Sequence, residues 1–327
     1  MDFNADGHID IVTGTFDGSP HIALGTKDGF EEPTHILDDK GKRILLGQYW
    51  DHDEASWTNL DQPQCTSAIA FDWDDDGDYD LLLGEYGKDG GLHLNRNEGK
   101  PGAPIFPTSK EQIQAGNGPI KLEGGVTTPR LVDWNRDGLM DLVIGSFGNS
   151  YTANPPGGVY LYLNVGAKGA PEFAAAKALI APTKTEGHVQ TRPNVGLYAD
   201  PVDVDGDGDL DLIVGGYSIW FPEKPDLTGE QTLELRTLMS TKTEKNKTLQ
   251  DHRKGFNDQI KDLEGEERSA RWKELIRDEG YLVLAEEVAQ LTNRIEELNP
   301  SQQRKTGVWI YLQEQASSTA ITAGAPK

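Results

Sequence analysis

The sequence predicts an all-β protein: a β-propeller of four-stranded blades with an inserted α-helical hairpin. Three observations carry this expectation. A nine-residue acidic motif occurs four times at near-constant spacing. Each copy runs into a short apolar segment ending in glycine. One stretch, 222–306, changes to helical periodicity.

The four motifs read DFNADGHID, DWDDDGDYD, DWNRDGLMD and DVDGDGDLD, starting at Asp2, Asp72, Asp133 and Asp203, at intervals of 70, 61 and 70 residues. The apolar segments that follow are IVTG, LLLG, LVIG and LIVG, closing at Gly14, Gly84, Gly145 and Gly215. Two residues later stands an aromatic: Phe16, Tyr86, Phe147 or Tyr217. A second strand-like run follows: HIALG, GLHLN, GVYLYLN and, beyond the insert, GVWIYLQ. TSAIAF and TTPRLV precede loops two and three. Each unit therefore reads as strand, acidic loop, strand, turn, strand and a looser outer segment. A single meander of this kind has two open edges and cannot bury a core alone, whereas units repeated about a centre form a propeller. A linear solenoid is the alternative, although solenoid periods run nearer about 20–50 residues.

The chain has 31 Lys+Arg against 54 Asp+Glu, a net charge of −23. That balance argues against nucleic-acid partners, whose phosphates need clustered cations. No segment approaches the roughly 18 apolar residues of a membrane span, so no membrane insertion is expected. The acid is local: the four motifs hold 17 of the 36 acidic residues that lie outside 222–306. Acid gathered in short loops calls for a counter-ion.

In each motif, oxygen ligands at positions one, three and five converge when glycine at six lets the chain turn. Position seven offers its backbone carbonyl and position nine a closing carboxylate. The expected ligands are Asp2, Asn4, Asp6, His8 and Asp10; Asp72, Asp74, Asp76, Asp78 and Asp80; Asp133, Asn135, Asp137, Leu139 and Asp141; and Asp203, Asp205, Asp207, Asp209 and Asp211. Such an oxygen set suits Ca²⁺, with up to four ions, better than Mg²⁺ with its strict octahedron. Transition metals would want His or Cys, which the loops lack apart from His8. An EF-hand is excluded, because its twelfth position is a bidentate Glu on a helix, and here those positions are Thr13, Leu83, Ile144 and Val214. Loops one and three carry Asn at position three, and Arg136 adds a positive charge to the third. They are expected to bind more weakly than loops two and four.

The pattern D-x-[DN]-x-D-G-x-x-D followed by three apolar residues, glycine and an aromatic resembles the FG-GAP/VCBS repeat of integrin-α-like propellers. The resemblance spans about 2–221 plus 307–313. It implies a propeller of six to eight blades with calcium in loops on one face. It also implies an extracellular, cell-surface or periplasmic setting, and adhesion or ligand binding without catalysis. The alternative is an accessory, glycan-binding region of a secreted polysaccharide-active enzyme. No signal peptide follows Met1, and the strand expected ahead of the first loop is missing. The units are therefore expected to be the C-terminal part of a larger propeller, or else four blades closing alone.

Within 222–306, Tyr281, Leu284, Val288, Leu291, Ile295 and Leu298 step by three and four, a heptad seam. Leu249, Phe256 and Leu263 step by seven on a partner helix, with the reversal between Gly265 and Gly280. The expectation is a two-helix, coiled-coil-like hairpin of about 35 residues per arm, roughly 50 Å long. It would either dock a partner or oligomerise, or fold over as local decoration. Lys242 and Lys245 at seam positions should loosen its base.

One further region invites a ligand. Gly47–Asp61 places Trp50, His52, Asp53 and Trp57 together, flat aromatics beside polar groups as a sugar site uses. A long loop packed on its neighbours is the plainer reading. Trp73 and Trp134 occupy a repeat position and are expected in the core. No nucleophile-elbow or phosphate-loop motif occurs, so no catalytic site is expected. Cys65 is the sole cysteine, which leaves no intrachain disulfide.

Overall fold

A computed structural model describes residues 1–46, 49–51, 56–58, 66–87, 90–149, 154–183 and 192–313, with 49–51, 56–58 and 66 in backbone only. The chain divides into two compact units. One comprises the repeats (1–185, 189–219 and 304–327); the other is mainly 220–303.

In the repeat unit each acidic loop joins two antiparallel strands or, in the first copy, enters one. The second and third repeats form four-stranded sheets. The second has the order Glu111–Gln112, Leu92–Asn95, Asp80–Glu85, Thr66–Phe71. The third has the order Thr127–Val132, Asp141–Ser146, Val159–Tyr162, Lys177–Ile180. The first and fourth sheets have three strands: Ile11–Gly14, Pro20–Ala23 and Thr34–His35, and Val195–Val202, Asp211–Trp220 and Gln303–Tyr311. The four-stranded antiparallel sheet expected of each repeat is thus complete in two copies. A closed ring is not formed among the described residues, so the unit is a row of antiparallel sheets.

The apolar runs after the loops are continuous, not alternating, because the inner sheets are covered on both faces. Leu82 joins a core with Trp73, Leu92, Leu142 and Ile144, while its neighbours Leu81 and Leu83 face the other way into a core with Phe3, Ile44 and Phe106. Val143 likewise turns from Leu142 and Ile144 toward Leu197, Leu212 and Val214 of the fourth sheet. The three leucines 81–83 are at most 1% exposed, each stabilising the stack by about 1.5–3 kcal/mol. The expected core position of Trp73 is met, and Trp134 packs half-buried against the third core. At the ends one face stays open: Ile11 of the first sheet is 46% exposed, and Val308 of the fourth is 69%.

Glycine at the end of the second and third apolar runs has a specific cause. A Cβ at Gly84 would lie 2.1 Å from the Thr127 carbonyl oxygen of the next sheet, and one at Gly145 equally close to that of Leu197. Ser67 reinforces the first contact by donating to the same Thr127 oxygen at 2.6 Å. The equivalent Gly215 meets nothing within 4 Å.

The second unit contains three helices, α1 Gly229–Ile260, α2 Gly265–Leu275 and α3 Glu279–Leu298, where the periodicity predicts two equal arms. The stretch expected to be the reversal is itself a helix, because Glu264 to Leu275 supplies strong helix formers and Trp272, Leu275 and Ile276 to cover the end of the pair. Their core holds Leu249, Phe256 and Tyr281, as the heptad steps predict, whereas Leu263 lies past the end of α1. Thr228 begins α1 with a reciprocal capping box to Gln231, and Asp278 caps α3. The base is not left unpaired: Lys245 bonds Glu287 at 2.7 Å, and Arg294 grips Glu234 with two nitrogens at 2.7 and 3.0 Å. The lysine expected to loosen the seam instead spans it to a carboxylate.

Candidate metal centres

All four acidic loops fold on one hydrogen-bond plan. The first-position carboxylate accepts from the amides at positions five and six in the first three loops: Asp2 from Asp6 and Gly7, Asp72 from Asp76 and Gly77, and Asp133 from Asp137 and Gly138. In the fourth, Asp203 accepts from Gly206 and Gly208. The fifth-position carboxylate accepts from the amide at seven in every copy. Left-handed backbone at positions four and six makes this curl possible, with φ of 62° at Asp75 and 94° at Gly77.

The ninth aspartate behaves differently from the others. Asp10, Asp80, Asp141 and Asp211 are at most 3% exposed. One oxygen accepts from the amide at position two (Phe3, Trp73, Trp134, Val204), and the other from a residue two or more strands' width away in sequence (Gly25, Asn97, Asn164, Gln313). This carboxylate therefore ties the loop to the far end of the second strand after it. Burial pushes the carboxyl groups of Asp80 and Asp141 up, and these amides offset only part of that rise.

The loops then separate into two kinds. In loops one and three the asparagine amide donates to the fifth-position carboxylate, Asn4 to Asp6 and Asn135 to Asp137, both at 2.9 Å. Asp6 is accordingly held below the usual carboxylate range by the His8 amide and by Asn4. In loops two and four the third position is Asp, and ligand oxygens of Asp72, Asp74 and Asp76 converge within 4.8 Å, as do those of Asp203, Asp205 and Asp211. Arg96 reaches one oxygen of Asp74 at 3.1 Å, and Lys168 bonds Asp75.

Sequence reasoning assigned position seven a carbonyl role only. The structure adds its side chain in the two acid-rich loops. Asp78 is 3% exposed, and neither carboxylate oxygen has a hydrogen-bond partner. Burial, with Asp76, Asp80, Asp74 and Asp72 around it, pushes its carboxyl up to about 6. Asp209 Oδ1 is likewise buried and unpartnered, and desolvation with Asp207, Asp211 and Asp205 raises its carboxyl. The signal was present in the motifs: position seven is Asp in these two copies and His8 or Leu139 in the others.

Residues 133–214 match the family model described as an FG-GAP-like repeat. The chain carries an FG-GAP-like repeat. The match begins on the first aspartate of loop three and ends in the strand after loop four, so it covers one full period of the repeat and the next acidic loop. No curated protein and no solved structure matches the chain. Among the described residues, no helix is long and apolar enough to cross a membrane.

The expected glycan residues are only partly visible. Tyr49–Asp51 and Ser56–Thr58 form a hairpin in which Trp50 pairs with Trp57, where a plain loop was expected. His52 and Asp53, like Cys65, lie outside the described residues. His93 bonds Glu85 at 3.1 Å within the second sheet. A third convergence of metal-type side chains, Asp17, His21 and His35, lies outside every acidic loop and was not anticipated.

Proposed function

We propose that the repeat unit is a calcium-stabilised, non-catalytic ligand-binding module of an extracellular or cell-surface protein, built as an arc of a β-propeller. The observation that carries the calcium reading is Asp78. An unpartnered carboxylate, almost fully buried among four others, needs a cation or a proton. The donor set of loops two and four is all oxygen, which suits Ca²⁺. Asp72, Asp74, Asp76 and Asp78 would hold one ion, and Asp203, Asp205, Asp207 and Asp209 another, with Asp80 and Asp211 bracing each loop. Loops one and three are weaker sites of the same kind. Thermal unfolding followed during calcium titration tests this reading, and an unchanged midpoint would sink it.

The arc reading is supported by Gly215, which has the sequence position of Gly84 and Gly145 without the carbonyl that makes glycine necessary there. Gly84→Ala and Gly145→Ala should prevent stable folding, whereas Gly215→Ala should leave the melting temperature within a degree or two of the parent. A large loss at Gly215 would argue that the position is already covered.

A second reading, sugar binding at the hairpin of Trp50 and Trp57, is favoured by their direct cross-strand pairing. Screening glycans against the parent and Trp50→Ala tests it. Unchanged binding by the variant would remove this hairpin from consideration.

A further inference from the structure

Two imidazoles and one carboxylate converge on the first sheet. His21 in Pro20–Ala23 and His35 in Thr34–His35 are direct cross-strand partners, so both rings rise from one face, with centroids 4.2 Å apart. Asp17 sits in the turn between the first two strands and curls over them. Its Oδ2 lies 3.1 Å from His21 Nε2 and 3.0 Å from His35 Nε2. Its Oδ1 is held by the Thr15 hydroxyl and by the Ser19 amide at 3.0 Å. Burial pushes the Asp17 carboxyl up, but hydrogen bonds from Thr15, His35, His21 and Ser19 outweigh it and hold the group far below the ordinary range. The carboxylate is thus ionised and fixed, with one oxygen aimed at both imidazoles.

This arrangement is independent of the repeat. The strand position of His21 is held by His93, Tyr160 and Trp309 in the other copies, and no other copy unites two histidines with an acid among the described residues. The chemistry also differs from the acidic loops, because nitrogen donors select borderline metals over calcium. Around a tetrahedral Zn²⁺ with bonds of about 2.0–2.1 Å, adjacent ligand atoms stand roughly 3.3 Å apart. The two separations from Asp17 Oδ2 need to open by only a few tenths of an ångström, and all three ligand atoms already lie within 4.8 Å of one another.

We propose that His21 Nε2, His35 Nε2 and Asp17 Oδ2 form a transition-metal site of the Zn²⁺ class, distinct from the calcium loops. Three protein ligands leave a fourth position for water, and the side chains are open enough to admit it: His21 is 18% exposed, His35 37% and Asp17 39%. Arg43 sets the affinity. Its Nη2 lies 3.1 Å from Asp17 Oδ2 and also donates to the Asp17 carbonyl at 2.8 Å. On metal binding it keeps the carbonyl bond and yields Oδ2, so its charge opposes the ion.

The test uses the full chain in excess Ca²⁺, with Zn²⁺ added and binding followed calorimetrically. The parent should bind one ion saturably at this site. His21→Gln and His35→Gln should each weaken it by about tenfold or more, while Arg43→Gln should tighten it several-fold. An ion-pair cluster without metal function predicts the reverse for Arg43→Gln: lower stability and no gain in affinity. Should the histidine variants fail to fold, X-ray absorption of the zinc-loaded parent decides, since the site requires two imidazoles and one carboxylate oxygen in the first shell. Absence of saturable binding, binding unchanged in both histidine variants, or fewer than two imidazoles on the bound zinc would overturn the assignment.

Discussion

Loops two and four differ from loops one and three at positions three and seven, and the difference shows how an acidic loop can or cannot satisfy its own charges. Where the residue is Asn, its amide donates to the neighbouring carboxylate and the loop satisfies itself. Where it is Asp, that amide is gone and the carboxylates face one another, with Asp78 buried and unpartnered at the centre of the second loop. One pair is closed by its own side chains. The other is poised for a cation, and like charges held close destabilise it until one arrives.

The largest effects should come from what the two kinds share. Asp80→Ala and Asp141→Ala each remove two buried backbone hydrogen bonds, a loss of about 3 kcal/mol or more with or without calcium. Denaturant unfolding in chelator and in calcium checks this; a loss confined to the calcium arm would mean the ninth aspartate acts through metal. Next comes calcium itself, which at a thousandfold excess over a site's Kd stabilises by about 4 kcal/mol. The share due to loop two should disappear in Asp72→Asn/Asp74→Asn, leaving that of loop four, whereas Asp133→Asn should leave most of the gain in place. Equal losses would erase the distinction between the loops.

Asn135→Asp should convert a closed loop into an open one. The calcium-free protein should lose about 1 kcal/mol while the calcium-dependent increment grows by a similar amount. The smallest effect is one of pH. Asp78 holds its proton more tightly folded than unfolded, so its contribution is full below about pH 4. That contribution declines as pH rises toward its folded value of about 6. Calcium-free stability should therefore fall across that interval, and Asp78→Asn should flatten the fall. An unchanged slope would show that another group governs it.

Much of the fold was legible because its determinants are local. The glycine at position six, the leucine-rich run after it and the aromatic beyond occupy fixed offsets, and the strands follow those offsets in every copy. Leu249, Phe256 and Tyr281 meet in the helical core because heptad spacing places them on facing stripes. The helix α2 escaped because its few apolar residues show no repeat over so short a span. Asp17, His21 and His35 escaped for a different reason. Histidines on separate strands, 14 residues apart, become neighbours only through the register of the sheet.

The sequence by itself determined the repeat, the sharp turn of each loop, the all-oxygen donor set and the position of the helical insert. These depend on backbone preference and residue chemistry within about a dozen neighbours. Tertiary structure alone decided that the ninth aspartates brace rather than stand free, that Asp78 is sealed from water, that Gly84 and Gly145 yield to a neighbouring carbonyl while Gly215 does not, and that one acid and two imidazoles meet. Burial and convergence belong to the packing of sheets from distant segments, and no single segment carries them.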